Sequence, residues 1–238
     1  MRSKGIMAHG LIRTTMAPGV LQRVSDRVYR LEERFVNLYV IDLGKIALVD
    51  TGTRRAEALV RRGLKELGKE VEDVGTVLLT HHHLDHMGTA GVWQREARAQ
   101  VGVHEKDAPV LAGLERRWGK GVGPRGRFMV LFSGLFGWTV AADPVRPDLT
   151  FGDREILDLL GLRVETIEAP GHTLGSCAFR LATEGVLFAG DAVNGRRGKP
   201  EPPIFVEDAA AAHDSFRKLV AMDYQVLCPG HGSPLRHP

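Results

Sequence analysis

Cysteine is scarce in this sequence, and the scarcity limits how the fold can be stabilised. Only Cys177 and Cys228 occur in 238 residues, and they do not form a CxxC pair. So few thiols in a chain of this size disfavour a disulfide framework and are typical of a reducing compartment. We therefore expect a cytoplasmic protein with both cysteines packed in its interior.

Long apolar runs are also missing. No stretch approaches the ~20 residues that a helix needs to cross a bilayer. The segment from Ile6 to Val20 is interrupted by histidine, arginine and proline, so it cannot form the core of a signal peptide. The sequence predicts no contact with a membrane, and we expect residues 1–18 to form a flexible N-terminal arm.

Neither charge sign dominates the chain. Its 32 basic and 29 acidic residues leave a formal charge of +3. The densest basic stretch, from Arg54 to Lys65, has helical spacing and contains Glu57, which is typical of an exposed helix face. We therefore do not expect nucleic acid as a partner.

Strands and helices alternate along the predicted fold. Strands within residues 29–49 and 76–79 flank a helix from about Arg54 to Leu67, and a helix from Gly88 to Arg98 precedes a strand at residues 100–104. Later strands are predicted at residues 149–151, 155–157, 162–168, 176–181, 186–189 and 225–227, with a helix from Asp208 to Met222. The order suggests two similar halves, each a sheet with helices outside, within one domain over residues 19–238.

A helical, aromatic-rich insert at about residues 105–148 interrupts this order. It starts with a predicted helix from Lys106 to Arg117, and an apolar helical segment follows a glycine-rich break. Such a segment is either a core helix or a lid, and a lid would cover its own chain or a neighbour, which leaves a homodimer open. We predict that its aromatic side chains line a substrate pocket: Trp118, Phe128, Phe132, Phe136 and Trp138.

Histidines are concentrated directly after the predicted strand at residues 76–79. His81, His83, Asp85 and His86 form an HxHxDH pattern. In an extended or turning segment, residues two apart point the same way, so His81 and His83 can bind one ion while Asp85 and His86 turn toward a second. Imidazole and carboxylate groups clustered in this way need a shared cation. His82 is expected to face away from the ions.

Three later polar residues, each next to a glycine, follow predicted strands: His172, Asp191 and His231. Glycine lets the backbone approach closely and adopt positive φ, as a turn that presents a ligand often requires. Together with the first cluster, they predict a metal site at one sheet edge. Its ligands are His81, His83, Asp85, His86, His172, Asp191 and His231.

In this order, the motifs resemble the metallo-β-lactamase superfamily, with the resemblance extending from about Tyr29 to Leu235. It implies an α+β fold, a four-layer αβ/βα sandwich with metals at one edge of its two sheets. The implied ligands are His81, His83 and His172 for a first ion and Asp85, His86 and His231 for a second, with Asp191 bridging. Asp50, in Val49-Asp50-Thr51-Gly52, matches the family's first motif and is expected to steady a ligand histidine.

The resemblance implies a metal-dependent hydrolase with two divalent ions, zinc being expected and iron or manganese being alternatives. Metal binding lowers the pKa of water from 15.7 to about 7, so a bridging hydroxide would attack the carbonyl of a small ester, thioester or lactone. Asp85 is the candidate for orienting this water and transferring its proton. The chemistry would resemble that of glyoxalase II or acyl-homoserine lactonases.

Asp191 disfavours a true β-lactamase, because those members of the superfamily generally lack the bridging aspartate. Two other activities stay open. A phosphodiesterase or nuclease would fit the ligands, but the chain has no concentrated basic surface for a nucleic acid. A persulfide dioxygenase would use one iron, and the complete ligand set for a second ion argues against it.

Overall fold

The computed structural model describes residues 19–128, 143–159 and 161–236. Its strands are β1 (Gln22–Arg23), β2 (Val28–Glu33), β3 (Val36–Leu43), β4 (Lys45–Val49), β5 (Val74–Leu78), β6 (Gln100–His104), β7 (Lys120–Gly121), β8 (Leu149–Phe151), β9 (Ile156–Leu159), β10 (Leu162–Glu168), β11 (Cys177–Leu181), β12 (Val186–Gly190), β13 (Asn194–Arg196), β14 (Lys199–Glu201), β15 (Phe205–Val206), β16 (Val226–Pro229) and β17 (Leu235–Arg236). Its helices are α1 (Glu57–Glu66), α2 (Leu84–Met87), α3 (Ala90–Glu96), α4 (Ala108–Leu111) and α5 (Ala209–Val220). Residues 123–128 are also helical.

The strands form two main sheets with mixed directions. The first has the order β1-β2-β3-β4-β5-β6-β8, and the second has the order β17-β16-β12-β11-β10-β9. In the first sheet, β4, β5, β6 and β8 are parallel neighbours. In the second, β12 and β16 are parallel, and β10 runs in the direction of β12 because β11 is antiparallel to both. Several carboxyl ends of strands therefore meet along one edge.

Three apolar cores divide the fold into four layers. Leu64 of α1 and Trp93 of α3 pack on the outer face of the first sheet. Phe179 and Phe188 belong to the core between the two sheets. Leu219 of α5 packs on the outer face of the second sheet. This arrangement is the predicted αβ/βα sandwich, and burial of each such side chain contributes about 1.5–3 kcal/mol.

Several sequence predictions match these elements and others are wrong. The strand at residues 162–168 is observed with the predicted bounds. The predicted helix from Lys106 to Arg117 is wrong beyond α4, because Gly113 adopts φ +71° and turns the chain out of the helix. The predicted helix at residues 88–98 is observed as α3, two residues shorter at each end, and the separate short helix α2 precedes it. The sequence does not predict the short strands β7, β13, β14, β15 and β17.

Some predictions concern segments outside the described residues. The N-terminal arm at residues 1–18 is one of them, and residues 129–142 of the aromatic insert, with Phe132, Phe136 and Trp138, are another. Cys177 and Cys228 are free and buried, so the prediction that both are packed is confirmed. None of the helices in the described ranges has the length and apolarity needed to cross a bilayer.

Candidate metal centre

The candidate metal centre lies where strands from both sheets end. The loop after β5 contains His81 and His83, and α2 follows it directly. The second sheet contributes His172 after β10, Asp191 after β12 and His231 after β16. The two sheets pack face to face, so these short loops converge from both sides of the interface.

The first group of candidate ligands consists of His81, His83 and His172. Nδ1 of His83 lies 2.8 Å from Nε2 of His172, which lies 3.2 Å from Nε2 of His81. One nitrogen from each ring therefore faces a common point, and the three nitrogens lie within 4.8 Å of one another. Three imidazole nitrogens at this spacing can share one cation.

The second group consists of Asp85, His86 and His231. Oδ2 of Asp85 lies 4.0 Å from Nε2 of His86 and 3.5 Å from Nε2 of His231. The helix α2 places Asp85 and His86 next to each other, and the loop after β16 brings His231 to them from the second sheet. This group offers two nitrogens and a carboxylate oxygen to a second cation.

Asp191 lies between the two groups. Its Oδ2 atom lies 3.4 Å from Nε2 of His172 and 3.1 Å from Nε2 of His231. Its Oδ1 atom lies 3.3 Å from Nε2 of His86. One carboxylate thus contacts a histidine of the first group and both histidines of the second.

The ring orientations are set by acceptors behind the histidines. Nδ1 of His172 donates to the carbonyl of Phe205, and Nδ1 of His231 donates to the carbonyl of Phe35, both at 2.7 Å. Nδ1 of His86 donates to Oδ2 of Asp50 at 2.8 Å. Because Nδ1 of each ring donates to one of these acceptors, Nε2 is the nitrogen that faces the centre and can bind a cation.

Asp50 connects two of the converging segments. Its carboxylate accepts hydrogen bonds from the backbone amide and the hydroxyl of Thr80, besides the one from His86. The Thr80 hydroxyl lies 3.0 Å from Nδ1 of His81. Asp50 adopts φ +59°, a left-handed conformation in which aspartate is tolerated better than most residues.

The charge distribution of the site favours a cation. Burial, helped by the neighbouring imidazoles, lowers the pKa of His81 and His83 well below the usual value, so both stay neutral. Burial opposes ionisation of Asp191, but His231 and His86 outweigh it and hold the pKa of the carboxyl well below normal. Burial also opposes protonation of His231, yet the Asp191 carboxylate raises its pKa to about 9. The site therefore contains a buried anion surrounded by imidazoles.

Two buried atoms indicate that these residues fit a bound cation. Nε2 of His86 and Oδ1 of Asp191 have no hydrogen-bond partner within the described part of the chain, although both are buried. An unsatisfied buried polar group costs about 1–3 kcal/mol, and a cation between the two groups would satisfy both atoms. Imidazole and carboxylate together suit zinc, iron, manganese and cobalt.

His82 points away from the centre, as expected. Its Nδ1 atom lies 2.9 Å from Oδ2 of Asp107, a fully buried carboxylate that sequence reasoning missed. Asp107 follows the parallel strand β6 at the edge that carries the other polar residues. The rule that identified His172 and Asp191, a polar side chain shortly after a strand, could have pointed to it.

Among the described residues, the aromatic rings beside the candidate ligands are those of Phe35 and Phe205, which the sequence does not predict as pocket residues. The Phe205 ring lies 5.6 Å from the His83 ring, and the Phe35 ring stacks on His231 with centroids 5.9 Å apart. Trp118 and Phe128, the two described members of the predicted pocket lining, have exposed side chains. The pairing of β7 with β15 still places the segment after Trp118 beside Phe205.

Sequence comparisons identify a protein family and two similar proteins. The profile of the metallo-β-lactamase superfamily matches residues 31–231. The chain is 24% identical over 246 residues to the probable metallo-hydrolase YflN of Bacillus subtilis, covering 93% of this chain and 90% of that protein. It is 29% identical over 190 residues to the hydroxyacylglutathione hydrolase GloC of Haemophilus influenzae, covering 79% of this chain and 80% of GloC.

Solved structures have a similar architecture. The metallo-β-lactamase family protein TTHA1429 from Thermus thermophilus has a TM-score of 0.65 and 29% identity, covering 88% of this chain and 75% of that one. BJP-1, a subclass B3 metallo-β-lactamase of Bradyrhizobium japonicum, has a TM-score of 0.68 and 24% identity, covering 90% of this chain and 78% of that one, and it shows the fold alone. Since the matched region contains all seven converging side chains, the chain belongs to the metallo-β-lactamase superfamily and is a metal-dependent hydrolase.

Proposed function

We propose that the protein hydrolyses a small ester, thioester or lactone with the help of two divalent ions, zinc being the expected metal. The position of Asp191 between the two ligand groups is the observation that carries this proposal. The carboxylate of Asp191 would bind both ions and hold them at a fixed separation. When bound, such a metal pair acidifies water to a pKa near 7 and polarises a substrate oxygen.

The protein's own residues would orient the substrate and transfer the proton. Asp85 lies at the rim of the site, with its side chain 20% exposed, and its Oδ2 is within 3.5 Å of His231. We assign to it the role of accepting the proton of the attacking water, because a carboxylate in this place is close to both the centre and the solvent. His81 and His172 are buried and would serve as ligands only.

An apolar rim favours an acyl group over a highly charged substrate. Phe205 contacts the His83 ring, and Leu84 and Leu174 expose 37% and 45% of their surface on the loops that carry the candidate ligands. A groove of about 390 Å³ is lined by Pro124, Arg125, Phe128 and Ile204. Ile204 directly precedes Phe205 in the sequence. We propose that it accepts the apolar part of the substrate, together with Trp118.

The names of two relatives support this choice of substrate class. GloC is named as a hydrolase of hydroxyacylglutathione, and YflN is named as a probable metallo-hydrolase. Asp191 lies between the two ligand groups, and true β-lactamases of the superfamily generally lack such a bridging aspartate, so we expect β-lactams to be poor substrates. The cytoplasmic location and the homodimer expected from the sequence stay predictions.

A substrate panel on protein of measured metal content tests the proposal. The panel contains hexanoyl-homoserine lactone, S-lactoylglutathione, bis(p-nitrophenyl) phosphate and the β-lactam nitrocefin. We expect turnover of the lactone or the thioester and loss of that turnover in Asp191→Asn, with the exposed Asp26→Asn as the matched control. Turnover of the phosphodiester alone would refute the proposal, and so would a single bound iron with oxygen uptake on a persulfide.

A further inference from the structure

A buried carboxylate outside the ligand set joins the two loops that present the first group. Oδ2 of Asp107 accepts hydrogen bonds from the backbone amide of His82 at 3.2 Å and from the hydroxyl of Thr173 at 2.7 Å. Its Oδ1 atom accepts a hydrogen bond from the amide of Gly175 at 2.9 Å. One side chain therefore ties the loop containing His81 and His83 to the loop that follows His172.

Arg117 holds this carboxylate from the other side. Its Nη2 atom donates to Oδ1 of Asp107 at 2.7 Å, and its Nη1 atom donates to Oε2 of Glu207 at 3.2 Å. Glu207 in turn accepts from the amide of Leu174 at 2.6 Å, and its own amide donates to the carbonyl of Gly171 at 2.8 Å. The side chains of Arg117, Asp107 and Glu207 are 11%, 0% and 8% exposed, so solvent screens this network little.

The loop that presents His231 has a separate support. Nδ2 of Asn37 donates to the carbonyls of Pro229 and Gly232 at 2.9 and 2.7 Å, and the Tyr39 hydroxyl donates to Pro229 at 2.8 Å. In the hydrogen bonds of the described ranges, Asn37 and Asp107 have no partner in common. The two ligand groups thus depend on different buried polar residues.

We propose that Asp107, oriented by Arg117, is a positioning residue that sets the metal affinity of the first group and leaves that of the second group unchanged. The inference rests on the proposed function, since it requires that both groups bind an ion. Three nitrogens from two loops can share a cation only when the loops keep their separation. Asp107 contacts both loops, and it touches none of the proposed ligands with its side chain.

Titration of metal-free protein with Zn²⁺ against a chromophoric chelator, and with Co²⁺ followed by absorption, tests the assignment. The two binding events are identified with His83→Ala for the first group and His231→Ala for the second. We expect Asp107→Ala to weaken the first event about 10–100-fold, the range found when residues behind metal ligands are replaced, and to leave the second unchanged. We expect Asn37→Ala to weaken the second event and to leave the first unchanged.

A matched control separates positioning from general destabilisation. Glu115 also faces Arg117, with Oε1 3.8 Å from Nε, but its side chain is half exposed and lies outside the hydrogen bonds that tie the two loops together in the described ranges. Glu115→Ala should therefore leave both events unchanged. Asp107→Asn keeps one oxygen acceptor and should recover part of the lost affinity.

The outcomes distinguish the inference from the proposed function. Equal weakening of both events in Asp107→Ala, or no weakening in a variant that folds, would overturn the inference while the hydrolase proposal stands. If the unmodified protein itself binds fewer than two ions, both the inference and the proposed function are overturned. If Asp107→Ala does not fold, Asp107→Asn and Arg117→Ala decide between the same outcomes.

Discussion

Oδ2 of Asp191 lies 3.1 Å from Nε2 of His231, while the other oxygen of the same carboxylate lies 3.3 Å from Nε2 of His86. Asp191→Asn keeps the shape of this side chain but removes its charge and replaces one oxygen ligand by an amide nitrogen. We expect bound zinc to fall from about two ions per chain to one or fewer, with a matching loss of kcat. Elemental analysis and the assay on the best substrate of the panel measure both effects. Unchanged zinc content would contradict the bridging role.

The two groups of ligands differ in their exposure, and this predicts the order in which ions are lost. The side chain of His231 is 26% exposed and that of Asp85 is 20% exposed, whereas that of His172 is 5% exposed. A chelator reaches exposed ligands more easily, so we expect the second ion to leave first when EDTA is added. Cobalt-substituted protein makes the two steps visible as separate absorption changes. His231→Ala should abolish the faster step and leave the slower one.

Replacing Asp50 tests whether a residue that hydrogen-bonds to a ligand histidine, without being a ligand itself, affects the metal affinity of the site. In Asp50→Asn the amide oxygen can still accept from Thr80, but the negative charge that orients the Nδ1 proton of His86 is gone. We expect zinc to bind about 10–100-fold more weakly. Asparagine is the preferred substitution, because it tolerates the left-handed φ of +59° that alanine would strain. Competition with a chromophoric chelator measures the affinity, and an unchanged value would show that Asp50 is not needed.

The candidate ligands could be predicted from their residue types and from their positions directly after strands. Histidines and aspartates directly after predicted strands stand out from an apolar background, and the loops after β5, β12 and β16 follow that rule. The groups that orient the rings could not be found in this way. Phe205 and Phe35 act through their backbone carbonyls, which every residue has, so neither leaves a signature in the sequence.

The elements of the fold also differ in whether the sequence could predict them. The strand β10 could be predicted with the correct bounds, since its side chains alternate between buried and exposed positions over much of its length. The small hairpin of β13 and β14 could not, because its strands of three residues are too short to show a period. The helix predicted from Lys106 ends early, before Gly113 with its positive φ, and a Cβ atom at Gly113 would lie 3.0 Å from Cγ of Pro144, a close approach that the local sequence does not show.

The buried carboxylate of Asp107 predicts a pH dependence of stability. Burial alone would raise its pKa, but hydrogen bonds from His82 and Thr173 and the charge of Arg117 hold the pKa well below its ordinary value. A lowered pKa in the folded state means that the ionised form stabilises the protein above about pH 4 and that this stability is lost as the pH falls.

Urea unfolding of unmodified protein and Asp107→Asn in EDTA measures this contribution. We expect the variant to be less stable by about 3 kcal/mol near pH 7, because one partner of a buried ion pair is removed. The difference should shrink as the pH is lowered below about 4. A difference independent of pH would contradict ionisation of Asp107, and the exposed Asp26→Asn should show little effect at any pH.

Gly230 offers a test in which the site is disturbed from the backbone. A Cβ atom added at this position would lie 2.1 Å from Oδ1 of Asp191 and 2.8 Å from Cε1 of His86. Asp191 must therefore move in Gly230→Ala, and we expect loss of bound zinc and of activity with a stability cost of about 1–3 kcal/mol, as for an overpacked core. Gly75→Ala is the matched control, since its nearest neighbour would be the Ile46 carbonyl at 4.0 Å. Because Gly230 has no positive φ, the substitution strains no backbone torsion, so lost zinc in a folded variant follows from the displaced carboxylate. Full zinc content in Gly230→Ala would show that the site tolerates a moved Asp191.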